Sequence, residues 1–362
     1  MKILLVRLRQ IGDVVFTTPA IRGLRHRFPE AHLSYVVEPA AAPVVEPNTA
    51  LDQVIVAPRG RGFRGLRRDI ALGGRLRRER FDIAIDFHGG PRASLLTWLS
   101  RAPVRIGYDV AGRRWMYTNI VDRPRDLRAR HSVENQWDLL GPLGIARPSP
   151  EAFPVEMAPR PDVTERLAAR LAMAGVSADD RLVIIHVSAG NPFRRWPVDS
   201  FAAVAAGLVT RHRKIRVIVT SGPSEHEAAG QVIAHARQSL QADTRSRVLD
   251  CGDFSLTELR ALVDRASLYI GGDSGPMHIA ATSHVSMISL YGPTLPARSA
   301  PWRAAGWPSV AVEVQGLECR PCDQRVCAPG DFRCLLRIEP QAVLDAAERL
   351  AKGDNEHSGF GI

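Results

Sequence analysis

The chain has 362 residues, 45% of them apolar, a formal charge of +10, and 48 basic side chains of which all but Lys2, Lys214 and Lys352 are arginine. Its length exceeds one ordinary domain of about 100–200 residues, and its apolar content excludes an intrinsically disordered chain. The charge points to an anionic partner, whether nucleic acid, anionic lipid or a phosphorylated small molecule.

Residues 2–8 read as a buried first strand. Charges at Arg7 and Arg9 and the lack of a small-residue cleavage site argue against a secretion signal, so a cytoplasmic protein is expected. Val14 to Arg27 carry apolar residues at helical spacing, with Pro19 as a bend. Further strands are predicted at Leu33–Val37, Gln53–Val56, Phe81–Asp86 and Val104–Ile106, alternating with helical segments that include Val133–Leu143. Gly144 to Asp162 holds five prolines and little periodicity, which marks a linker. The second half repeats the scheme, with strands at Leu182–Val187, Arg216–Thr220, Val248–Leu249, Leu268–Ile270 and Met287–Leu290. Helices are predicted to begin near Val198, Ser224, Ser255 and Gly275, and a last one over Pro340–Lys352 before a disordered polar tail. This alternation is the pattern of βαβ units around parallel sheets. It predicts an α/β protein with domains at 1–155 and 156–340, followed by a terminal helix and tail at 341–362. The longest window free of Asp, Glu, Lys and Arg, Ser274 to Ala297, contains His and Pro and is no membrane span.

Several loops that follow strands carry candidate chemistry. Asp13, in Ile11-Gly12-Asp13 after the first strand, is either a helix N-cap or a general base at the carboxyl edge of the sheet. The Arg59–Arg68 run, with Arg59, Arg61, Arg64, Arg67 and Arg68, is either a solvated helix face or a patch for a phosphate-rich ligand. In His186–Pro197, Arg194 and Arg195 beside a glycine loop suit a diphosphate, while Trp196 could simply anchor the loop. Glu225 or Glu227 could meet sugar hydroxyls or serve as first-turn acids. In Gly272-Asp273-Ser274-Gly275-Pro276-Met277-His278, a strand turns through glycines into a helix. Its first amides, with Asp273, Ser274, Gly275 and His278, could grip a diphosphate, or the segment is an ordinary loop with Ser274 as cap. Cys319, Cys322, Cys327 and Cys334 offer four thiolates for a structural zinc, or a reduced cysteine cluster.

Ile11-Gly12-Asp13 with Thr18-Pro19-Ala20-Ile21, Arg194-Arg195-Trp196-Pro197, Gly272 to His278, Tyr291-Gly292-Pro293-Thr294 and Cys319 to Cys334 occur together in one order. In that order they resemble the ADP-heptose:lipopolysaccharide heptosyltransferases of glycosyltransferase family 9, over residues 1 to about 350. The resemblance implies a GT-B fold of two Rossmann-like, doubly wound domains facing a central cleft, the first binding the acceptor and the second the nucleotide sugar. It implies an inverting transfer of heptose from ADP-heptose to a Kdo or heptose of the lipopolysaccharide inner core, at the cytoplasmic face of the inner membrane. Asp13 would then be the base, with Arg194, Glu225, Asp273, Ser274, Gly275 and His278 as donor contacts. Arg194 stands where relatives often have Lys. No metal is needed for the implied chemistry, and the arginine run would face the core acceptor. An epimerase or a transferase of another nucleotide sugar is the alternative. Nucleic-acid binding would account for the charge but not for these motifs, and aromatic residues, at 6%, rarely interleave with the basic tract.

Overall fold

The computed structural model describes residues 1–60, 62–122 and 130–357, the last five by backbone alone. Arg61 and the expected disordered end of the tail lie outside the described residues.

The chain divides into two compact units, one of 1–158 with Trp302–Ala304, the other of 159–301 with 305–362. In the first, β1 (Lys2–Val6), β2 (His32–Val37), β3 (Gln53–Val56), β4 (Ile83–Asp86), β5 (Val104–Tyr108) and β6 (Asn119–Val121) form one sheet in the order 3-2-1-4-5-6. All its neighbours pair in parallel. The central strands are apolar without alternation, as expected when helices cover both faces, and Ile3, Leu4, Leu5 and Val6 are fully buried.

The second unit holds β7 (Arg181–Val187), β8 (Ile215–Ser221), β9 (Val248–Asp250), β10 (Leu268–Gly272), β11 (Ser286–Tyr291) and β12 (Ser309–Glu313), ordered 12-11-10-7-8-9. Counted from its own first strand, that is the same Rossmann order, again parallel throughout. Each sheet therefore reverses direction once, between β1 and β4 and between β7 and β10. Ligands of open α/β sheets bind outside the carboxyl ends of strands at such points.

Some elements depart from the sequence expectation. Val14–Arg27 is two helices, Ile11–Val15 and Thr18–Arg27, because Pro19 lacks an N–H and is accommodated in a first turn rather than in a helix interior. Val133–Leu143 is an α-helix over Ser132–Trp137 and then a 3₁₀ segment, Asp138–Leu143, that contains Pro142. The edge strands β6 and β12 were not anticipated, since their residues are exposed or half-buried and their apolar stretches, Ile120–Val121 and Val310–Val312, are only two and three residues long. The last helix continues to His357. The proline-rich linker is packed rather than free: Val155 and Met157 are buried, Val155 N–H donates to Trp302 C=O at 3.0 Å, and Glu156 N–H donates to Thr18 Oγ1 at 2.9 Å.

Candidate active site

The chain after β1 runs through Gln10, whose φ of 68° is a left-handed conformation that costs a non-glycine residue energy, and enters the Ile11–Val15 helix. This turn presents Asp13. Its carboxylate receives a hydrogen bond and ion pair from the largely buried guanidinium of Arg7, while its own side chain stays 36% exposed. Arg7 also donates to Phe87 C=O at 2.7 Å, and Gln136 Nε2 donates to Asp13 C=O at 3.2 Å. Asp13 is not a side-chain cap, because the helix start has no side-chain capping bond.

Phe87 follows Asp86, the last residue of β4, which lies opposite Val6 in the register. Asp86 is fully buried, and burial pushes its pKa up against donations from Tyr117, Gly89, His88 and Ser94. Those four bonds fasten the turn after β4, and that turn supplies the carbonyl on which Arg7 rests. Neither Arg7 nor Asp86 stood out in the sequence, where both read as strand residues. The charge that breaks the apolar run at position 7 was the available signal.

At the reversal of the second sheet, the loops after β7 and β10 meet. Arg194 donates from its guanidinium to the Asp273 carboxylate at 3.2 Å and to Asp273 C=O at 3.1 Å. Asp273 also accepts from Thr294 Oγ1 at 2.6 Å and Ser299 Oγ at 3.2 Å, with His278 Nε2 at 3.5 Å. Burial alone would raise the Asp273 pKa, but His278, Arg194 and Thr294 outweigh it and hold the group at about 2. Gly272 lies against both loops: a Cβ there would sit 3.4 Å from Ser188 Oγ and 3.5 Å from Arg194 C=O, ordinary contact distances.

Gln324, from the cysteine-bearing loop, completes this set. Its Oε1 accepts from Arg194 Nε at 2.7 Å and from Asn191 Nδ2 at 2.8 Å, locking the guanidinium plane. Sequence reading missed Gln324, as a lone glutamine 130 residues away carries no pattern. Arg194 keeps 30% of its side chain exposed and is an accessible cation here. Glu225 is buried, accepts from Ser224 Oγ at 2.6 Å and pairs with Arg195 at 3.6 Å.

Two expectations need correction. Ser274 occupies the N-cap position but its hydroxyl bonds Ser188 Oγ at 3.3 Å instead of a backbone N–H. The helix it precedes, Gly275–Ala280, has six residues with Pro276 in its first turn, so its dipole and free amides offer less than the sequence suggested. The four thiols line one cavity of about 210 Å³ with Phe193 and Phe332, and among the described residues no group of three or more His, Cys, Asp or Glu is arranged to hold a metal. Cys322 and Cys327 instead accept backbone N–H groups of Gln324 at 3.3 Å and Phe332 at 3.4 Å, shaping a loop in which both donors have positive φ.

The remaining loop residues are structural. Trp196 is buried, with Nε1–H donating to Ile338 C=O at 3.0 Å, and His186 is buried against Thr220 Oγ1 at 2.9 Å. A cavity of about 450 Å³ lined by Arg181, Ile215, Leu268 and Ser286 lies at the amino ends of β7, β8, β10 and β11, away from the edge where such sheets bind ligands. Arg59, Arg64, Arg67 and Arg68 are exposed at the start of the Gly62–Glu79 helix.

The model of glycosyltransferase family 9 (heptosyltransferase) matches residues 70–331, well over half of the chain. The chain belongs to glycosyltransferase family 9. It is a glycosyltransferase, and its two Rossmann-like units are those of the GT-B fold. Lipopolysaccharide heptosyltransferase 3 of Escherichia coli is 27% identical over 293 residues, covering 78% of this chain and 81% of that relative. The crystal structure of a family 9 glycosyl transferase from Veillonella parvula superposes with a TM-score of 0.84 at 24% identity over 96% of both chains. E. coli heptosyltransferase WaaC with ADP-2-deoxy-2-fluoro heptose gives a TM-score of 0.69 at 20% identity, over 96% of this chain and 99% of that one.

Proposed function

We propose that this family 9 enzyme transfers heptose from ADP-heptose to a Kdo or heptose of the lipopolysaccharide inner core, with inversion at the anomeric carbon. Asp13 carries the reading: a part-exposed carboxylate, oriented by a buried arginine, stands beside the reversal point of the first sheet. It would take the proton of the acceptor hydroxyl as that oxygen attacks the anomeric carbon and the bond to the diphosphate breaks. The leaving diphosphate gains charge, which Arg194 would neutralise from its Asp273 and Gln324 supports, with His278 and the amides after Gly272 beside it. Arg194 gives this step its own cation, so turnover should survive a chelator. Glu225 would accept hydroxyls of the donor. Arg59, Arg64, Arg67 and Arg68 would face the phosphates and carboxylates of a lipid-anchored acceptor, and the enzyme would work at a membrane surface.

Support comes from the family match and from a heptosyltransferase that shares this fold and is solved with an ADP-heptose analogue. The test is transfer to defined truncated lipopolysaccharide cores with ADP-heptose against UDP- and GDP-sugars. Asp13→Ala should bind ADP like the parent but lose about 10²–10⁴-fold in kcat. Equal turnover with a UDP-sugar, or an active Asp13→Ala enzyme, would overturn the assignment.

A further inference from the structure

The 18-residue Gly62–Glu79 helix has an outer face that no other described element covers. Gly65, Gly73 and Leu76 are buried against the first unit, yet Phe63 is 80% exposed, Leu66 47% and Ile70 53%. At about 100° per residue these three fall within roughly 60° of the helix circumference, a continuous apolar row. Arg64, Arg67, Arg68, Arg75 and Arg78 follow along the adjoining arc, and Arg77 lies on the apolar side about two turns beyond Ile70.

Within the described fold these arginines hold no other group in place. The acids of the helix are taken by outside cations, Asp69 by Arg92 at 2.9 Å and Glu79 by Lys2 at 3.5 Å. None of the six arginines has an ion-pair partner among the described residues. The same unit exposes Trp115 at 61%, edge-on to Trp98 at 5.4 Å, on a helix that packs against this one through Leu99 and Gly73. A row of large apolar side chains beside a dense cationic arc is the pattern of a helix lying in the plane of an anionic lipid interface. Nucleic acid would satisfy the cations but leaves Phe63, Leu66 and Ile70 in water.

We propose that this helix is a membrane-docking element: Phe63, Leu66 and Ile70 enter the headgroup boundary of an anionic bilayer while the flanking arginines contact lipid phosphates. The purpose of docking rests on the lipid-anchored acceptor proposed above, but the binding is measurable without donor or acceptor. Flotation of the full chain with phosphatidylcholine vesicles, with and without phosphatidylglycerol, is the experiment.

Binding should require phosphatidylglycerol and weaken with salt. The triple variant Phe63→Ser, Leu66→Ser, Ile70→Ser should lose about tenfold or more in partitioning while keeping its ADP affinity and its transfer to a deacylated, water-soluble acceptor. Phe63→Trp, which keeps the row apolar, should partition at least as well as the parent and so guards against a folding artefact. Equal binding to both vesicle types, or undiminished binding by the triple variant, would overturn the proposal. So would a triple variant that fails equally on the water-soluble acceptor, since the face would then meet sugar or protein. A parent that binds vesicles yet transfers no heptose would sink the proposed reaction and leave the docking intact.

Discussion

Arg7 shows how one side chain can define a site that motifs only locate. It is buried, bonds Phe87 C=O and Asp13, and so ties the turn after β4 to the turn after β1. Replacing it with Met keeps much of the packing but removes the orienting charge. Under the proposed assignment of Asp13 as base, Arg7→Met should lower kcat by up to about 10²-fold with donor KM little changed, as misplacing a base by an ångström does. Steady-state kinetics separates the two parameters, and a rise in KM alone would show that Arg7 serves binding instead. His186 makes the opposite point, a histidine at a strand end near the site that is structural. Burial lowers its pKa from 6.5 to about 4, so the unfolded chain binds more protons between those values and stability rises with pH across that window. The contribution, about 3 kcal/mol, is present above pH 6.5 and lost as pH falls toward 4. Asp273, depressed from 3.8 to about 2, adds a further loss at more acid pH. Urea unfolding of the enzyme at pH 7 and pH 5 should show a lower midpoint at pH 5, and His186→Gln should reduce that difference.

Among the elements, the cysteine-bearing loop changes meaning most. Its four thiols suggest a metal, but the loop's contribution to the site is Gln324, held by the Cys322 sulfur and aimed at Arg194. A hydrogen bond to a charged group is worth about 1.5–3 kcal/mol. Gln324→Ala should therefore raise the donor KM roughly tenfold, and a double-mutant cycle with Arg194→Lys should be clearly non-additive. Additive losses in donor titrations would mean that Gln324 does not act through Arg194. The strands, by contrast, were readable because each central one is a short apolar run between turn residues. The edge strands were not, because one flank faces solvent and β-pairing there is decided by the neighbour. Pro19 was noticed as a bend, yet only the folded chain shows that it sits in the first turn of a new helix.

At the scale of the molecule, each unit has its own apolar core, one around Leu4, Val6, Leu76 and Leu96, the other around Ile185, Phe201, Val232 and Leu344. Units with separate cores can unfold separately. Calorimetry should resolve two transitions, and ADP at about 100 times its Kd should stabilise one of them by about 2.7 kcal/mol. Under the proposed assignment that transition belongs to the second unit, so Arg194→Ala should abolish its shift and Asp13→Ala should not.

The amino-acid sequence by itself determined the α/β class, most of the central strands and the loops that follow them, because hydrophobic periodicity and turn residues are local properties. Asp13, Arg194, Asp273 and His278 were legible as candidates because each lies beyond a recognisable strand, and their roles were implied by the family resemblance. Only the tertiary structure decided which of them meet. Arg7 reaches Phe87 because β1 and β4 are neighbours at a chain reversal, and Arg194 reaches Gln324 because a distant loop returns over the carboxyl edge of the second sheet. Strand order and loop return are set by packing the whole domain, so partners separated by 80 or 130 residues leave no trace in the local pattern.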